Sequence, residues 1–116
     1  MITAQTAREY KENYEALRVA KQVLKEISGQ IEERALNGFS ELFYRKSIKE
    51  NDDRKYGVFL FNKSQEIVLE RYIEDKLREN GFTLGKGGLC KAQKNLHPEI
   101  PWGQGMEFCI EVDIHW

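Results

Sequence analysis

One four-residue phrase occurs twice in this chain and constrains what it can fold into. Asn37-Gly38-Phe39-Ser40 and Asn80-Gly81-Phe82-Thr83 each close a charged, helix-patterned run and open a strand-like one. Glycine just past a helix adopts the left-handed backbone that stops it, and asparagine is the next best residue there. The following Phe can then fold back onto the helix it has left. The order helix, strand, helix, strand makes the chain α+β.

The N-terminal helical run is long. Thr3 is placed to cap it, with Ile2 and Ala7 forming a weak hydrophobic staple. Tyr10, Tyr14, Leu17, Leu24, Ile27, Ile31 and Ala35 recur at helical spacing, reinforced by Ala20 and Val23, and predict one amphipathic stripe. Unbroken from Thr3 to Leu36, the helix would be roughly 50 Å long. A compact chain of this length has a radius of gyration of only about 13–14 Å. The helix must therefore break, in the interval Tyr10 to Tyr14, or project beyond the domain. A projecting stripe needs a partner, and a second copy is the simplest. Lys21 and Ser28 fall on the seam, which argues for a short helix-mediated oligomer rather than a long coiled coil.

The remaining elements follow from shorter patterns. Phe39 to Ile48 reads as a strand, and Tyr56 to Phe61 reads as its partner in a β-hairpin across a polar turn at 49–55. A second helix starts at Asn62 or Ser64 and runs to Asn80, burying Leu69, Ile73 and Leu77, with Val68 and Tyr72 flanking. The clearest strand is the last. Phe108, Ile110, Val112, Ile114 and Trp116 alternate with Glu107, Cys109, Glu111, Asp113 and His115, so one face is wholly apolar. Residues 84–105 show no periodicity and read as a long irregular loop. The fold expected is a single α+β domain over 1–116: a long N-terminal helix, a β-hairpin, a second helix and a C-terminal strand, the small antiparallel sheet packed on the helices.

Composition removes several classes of function. The net charge is −1, with 18 basic and 19 acidic residues spread along the chain, so the basic field that attracts nucleic acid is missing. Phe43, Tyr44, Tyr56, Phe59 and Phe61 resemble a base-stacking platform, but core packing explains them at lower cost. No apolar run reaches the ~18 residues that span a bilayer, and no membrane partner is expected. The first residues lack the basic and apolar regions of a signal peptide, so Cys90 and Cys109 are expected as reduced thiols in a cytosol.

Three groups of residues invite chemistry. Gly85-Lys86-Gly87-Gly88 offers backbone N–H groups to an anion, with Lys86, Lys91 and Lys94 adding positive charge. It lacks the Gly-Lys-Ser/Thr ending of a P-loop. In the same stretch Trp102, between Pro101 and Gly103, suits a contact anchor. Second, Glu111, Asp113 and His115 share a strand face and suit a divalent metal or acid–base work, although charged alternation is also how a sheet faces water. Third, Cys90, His97, Cys109 and His115 are the soft zinc ligands, but none lie at structural zinc spacing. Cys90 with His97 supplies a thiol and a base without any sign of an activated thiolate. No cofactor is implied.

Ile2-Thr3-Ala4-x-x-Ala7-Arg8, Asn37-Gly38, Asn80-Gly81-Phe82 and Ile114-His115-Trp116 together resemble the pattern of small phage and prophage proteins of unknown function. Gln5-Thr6 stands where those carry an acidic residue, and the stretch before the last strand is longer here. The resemblance implies a virus-encoded accessory protein in the host cytosol, with no catalytic residues to carry over. It points to non-enzymatic binding of a host protein, as an inhibitor of a host enzyme or antiviral defence. The alternatives are a protein that sequesters a nucleotide or similar small anion on the Gly-Lys loop, and a metal-dependent enzyme on the Glu111, Asp113 and His115 face.

Overall fold

A computed structural model describes residues 2–49, 56–85, 91–97 and 105–116, with only the backbone of 91–97 and 105–106 described. Three helices and an antiparallel sheet make up the fold: α1 (Ala4–Glu12), α2 (Tyr14–Leu36), β1 (Glu41–Lys49), α3 (Lys63–Glu79), β2 (Thr83–Leu84), β3 (Lys91–His97) and β4 (Gly105–His115). β4 is central. β1 pairs along one of its edges, from Glu41 opposite His115 to Lys49 opposite Glu107. On the other edge, β2 pairs with Ile114 and His115, and β3 pairs with the stretch from Gly105 to Glu111.

Each helix ends where its local chemistry dictates. Thr3 Oγ1 accepts from the Thr6 N–H at 3.1 Å and caps α1. Asn62 and Gln65 form a reciprocal capping box at the start of α3. At its end Gly81 takes φ 86°, and the Phe82 N–H donates to Leu77 O at 3.0 Å while the Gly81 N–H donates to Arg78 O at 3.0 Å. This is the Schellman arrangement. The first Asn-Gly-Phe phrase builds the same end on α2: Gly38 has φ 84°, and the Phe39 N–H reaches Arg34 O at 3.0 Å.

The N-terminal helix is interrupted at Asn13, whose ψ of 3° departs from the helical value, while hydrogen bonds from Asn13 N to Glu9 O and from Leu17 N to Asn13 O bridge the kink. α1 buries no residue. The radius of gyration, 15.6 Å, exceeds the roughly 13–14 Å of a compact chain this long.

The core lies between α2, α3 and one face of the sheet. Leu42, Tyr44 and Ile48 of β1 join Phe108, Ile110, Val112 and Ile114 of β4 against Val19, Val23, Ile27, Leu69, Ile73 and Leu77. The stripe that α2 buries shares Ala20, Val23 and Ile27 with the expected one but is centred to one side of it. Ala16, Val19, Ala20, Val23 and Ile27 are fully buried, whereas Leu17, Leu24 and Ile31 are half-buried and Tyr14 and Ala35 exposed. The two stripes lie roughly 100° apart on the helix. Alanine and β-branched residues let α2 approach the sheet closely, and the bulkier Leu and Tyr side chains are left to the side.

Three further expectations are corrected. Val58–Leu60 is a 3₁₀ turn, not a strand, and the partner of β1 is β4. Gly57 at φ 69° turns the chain there, and Phe59 and Phe61 set their rings edge-on to Phe108 at centroid distances of 6.5 and 6.4 Å. The aromatic run thus inserts into the core from the side instead of laddering. Residues 84–105 are not irregular throughout, because β3 runs through them. Its polar sequence has little strand preference, and the open edge of β4 supplies the pairing that intrinsic propensity does not. Trp116 lies beyond the end of β4 and stays 38% exposed, its ring edge-on to Phe82 at 6.1 Å. The polar turn expected at 49–55 falls, after Lys49, outside the described residues.

One charge sits on the core side of the sheet. Lys46 Nζ contacts both Glu26 carboxylate oxygens at 2.8 and 2.9 Å, and Tyr44 Oη donates to the same carboxylate at 2.8 Å. Burial opposes the Lys46 charge, but hydrogen bonds with Glu26 and Tyr56 outweigh it and hold its pKa above the usual value. Glu26→Ala removes the acceptor shared by the buried Tyr44 and the partly buried Lys46. Because the pair keeps some contact with water, the expected loss is about 1–2 kcal/mol, read from urea unfolding.

Candidate functional site

Two surfaces carry the residues that could act on other molecules: the outer face of the sheet and a cleft between α2 and α3.

Antiparallel register decides which side chains meet on the outer face. It sets Arg45 opposite Glu111, Ser47 opposite Cys109 and Lys49 opposite Glu107. Arg45 bridges two carboxylates, with Nε 3.1 Å from Glu111 Oε1 and Nη2 3.5 Å from Glu107 Oε1. Ser47 Oγ donates to Glu107 Oε2 at 2.7 Å, and the Cys109 thiol donates to Glu107 Oε1 at 3.2 Å. Glu107 and Cys109 are only 6% and 3% exposed. The face is therefore solvated toward Glu111, Asp113 and His115 and closed at its other end. Burial first, then the hydrogen bond to Glu107, pushes the Cys109 thiol above its usual pKa, against the opposing pull of Arg45. A thiol held in its protonated form is a poor nucleophile at neutral pH.

The acid–base trio does not converge. His115 Nε2 lies 3.1 Å from Asp113 Oδ1, and its Nδ1 lies 3.8 Å from Glu41 Oε2. Glu111 turns instead to Arg45. Among the described residues no three His, Cys, Asp or Glu side chains are grouped to hold a metal ion. Pairing with Arg45, Ser47 and Glu41 was hidden from sequence reasoning because those residues lie on another strand, and strand register is not legible in β1 alone.

Gly85 has a packing role. Its N–H donates to Asp113 O at 2.8 Å, and a Cβ added there would come within 2.9 Å of the Asp113 Cβ and 2.6 Å of its Cγ. The first glycine of the Gly-Lys loop is thus explained by the sheet. Lys86 and Trp102 lie outside the described residues, as do Gly87, Gly88 and Cys90. Lys91, Lys94 and His97 belong to β3, where their backbones pair with Glu111, Phe108 and Gly105.

The second surface is a cleft of about 360 Å³ between α2 and α3. Leu24, Ile27, Ile31, Tyr72, Leu77 and Phe82 form its apolar lining, and Lys21, Ser28, Lys76 and Asn80 its polar one. Lys76 reaches Glu79 Oε2 at 3.3 Å and lies 5.7 Å from the Tyr72 ring centroid. The α2 residues in this cleft come largely from the helix's second stripe.

No protein-family model, curated protein or solved structure matches the chain. No helix among the described residues is long and apolar enough to cross a membrane.

Two measurements check this account of the outer face. Gly85→Ala should destabilise the fold by about 1–3 kcal/mol, because the new methyl group drives Asp113 off its strand position; urea unfolding reads the loss. The pH response has a definite sign. Folding raises the pKa of Cys109 above 9.0 and that of Lys46 above 10.5. Both groups then hold their protons more tightly folded than unfolded, so their stabilising contributions are complete below those values and lost above them. Unfolding midpoints should change little through these groups from neutral pH to about 9 and fall beyond. Cys109→Ala should remove the earlier part of the fall.

Proposed function

We propose that this protein works by non-enzymatic binding, as an oligomer assembled through its N-terminal helical arm. The observation that carries the reading is the second apolar stripe of that arm. Tyr10 and Tyr14 are 57% and 60% exposed, α1 buries nothing, and Leu24 and Ile31 line an open cleft. α1 is joined to α2 by the hydrogen bonds about Asn13 but packs no residue into its own domain. A helix that buries no residue in its own domain gains stability from a face supplied by another chain.

The chemistry-bearing groups of the outer face support the same reading. Arg45, Ser47 and Cys109 all engage Glu107, which favours a structural role for this cluster over a reactive one. The resemblance of the capping phrases and the two ends to phage and prophage proteins supports a virus-encoded accessory protein. In that setting the captured molecule is a host enzyme or a component of antiviral defence in the host cytosol.

Light scattering and native mass spectrometry test the assembly. The expected mass is a bare integer multiple of the 13.6 kDa chain. Tyr14→Asp should shift the distribution toward monomer by about tenfold in dissociation constant or more, the effect of losing roughly 1.4 kcal/mol, without changing the unfolding midpoint of the monomer. A strictly monomeric wild type overturns the reading. A mass raised by a few hundred daltons would instead favour anion sequestration.

A further inference from the structure

The open stripe of α2 has a regular spacing. Tyr14, Leu17, Lys21, Leu24, Ser28, Ile31 and Ala35 succeed one another at alternating steps of three and four, which is the repeat of a helix seam that packs on another helix. Resting on the binding reading above, we infer that the seam is covered by a second copy of this chain, its α2 lying antiparallel to the first across a two-fold axis between Leu24 and Ser28.

Three observations select this occupant and this direction. Large exposed apolar residues sit at both ends of α2: Tyr10 and Tyr14 at one, Leu36 (80% exposed) and Phe39 (49%) at the other. Antiparallel pairing sets the Tyr14 end of one α2 near the Leu36 and Phe39 end of the other, whereas parallel pairing sets like ends side by side. Size alternates at two of the seam levels. Around the proposed axis Leu24 meets Ser28 of the second copy and Leu17 meets its Ala35, while Ile31 meets the aliphatic stem of Lys21. Charge agrees as well. Among the described residues neither Lys21 nor Glu32 has an ion-pair partner, and this register sets Lys21 beside Glu32 of the second copy. Parallel pairing would lay Lys21 on its own mate. The opposed helix dipoles are also favourable. The cost is Lys25 near its symmetry mate, at an exposed position where water and salt screen the repulsion.

Disulfide trapping tests the arrangement. In a Cys90→Ser background, Leu17→Cys and Ala35→Cys chains are prepared separately and mixed under mild oxidation. Identical positions lie about 27 Å apart in the antiparallel pair, far beyond the reach of a disulfide. The expected result is a covalent dimer in the mixture and none from either variant alone. Covalent dimers from the separate variants mean parallel helices and overturn the inference. No covalent dimer in a mixture that light scattering still reports as dimeric places the interface elsewhere; that overturns the inference and leaves the binding reading standing. A second measurement needs no substitution. Zero-length carbodiimide coupling of mixed ¹⁴N and ¹⁵N wild-type chains should give a Lys21–Glu32 linkage joining one light and one heavy peptide. Its absence in a dimeric sample counts against the register just as firmly.

Discussion

The structure depends on β4 more than on any other element. β1 is bonded to one edge of β4, and β2 and β3 are bonded in succession to the other. Remove β4 and, among the described residues, no two of the remaining strands pair with each other. Its inward residues Phe108, Ile110, Val112 and Ile114 are at most 1% exposed, so the same strand supplies the surface on which α2 and α3 lie. This places almost all long-range pairing on one segment near the C-terminus. Chain closure on that scale costs entropy that only the apolar face and its ladder offset.

The parts of the fold legible in the sequence were those set by local chemistry. Gly38 and Gly81 mark helix ends because their left-handed backbone is a property of glycine itself. Thr3 and Asn62 mark helix starts through hydrogen bonds that reach only three residues. The alternation of β4 shows which of its faces lies on the helices. What stayed hidden was everything decided by a distant partner. Tyr56 to Phe61 has the composition of a strand, yet its aromatics fill the space beside Phe108, and a 3₁₀ turn delivers them better than an extended ladder. Conversely, Lys91 to His97 has the composition of a loop and becomes a strand because β4 has an open edge beside it.

The outer face shows the same division at the level of chemistry. Alternation along β4 correctly gathers Glu107, Cys109, Glu111, Asp113 and His115 on one side, and suggests a row of carboxylates with similar surroundings. The neighbouring strand makes them different. Arg45 and Ser47 gather around Glu107, which is buried, while Asp113 and His115 pair with each other in partial contact with water. A carboxylate surrounded by a guanidinium, a hydroxyl and a thiol has its lone pairs committed to neighbours. It therefore contributes specificity of register between β1 and β4 more readily than proton transfer.

The helix α2 raises a different problem, because it carries more apolar surface than its domain can use. A sheet centred on one strand and covered by two helices offers α2 two neighbours, the sheet and α3. The small face of Ala16, Val19, Ala20, Val23 and Ile27 meets the sheet, and Leu24, Ile27 and Ile31 lean toward α3. Lengthening the helix to Leu36 extends the second stripe past both neighbours, and α1 extends it further still. Lys21 and Ser28 interrupt that stripe where it is widest open, which lowers its hydrophobicity enough to limit indiscriminate association. A long apolar stripe with polar residues at fixed seam positions has the pattern by which helices choose one partner and one register over many. The surplus face of α2 thus follows from an element longer than its own core requires, and the placement of Lys21 and Ser28 gives that surplus its selectivity.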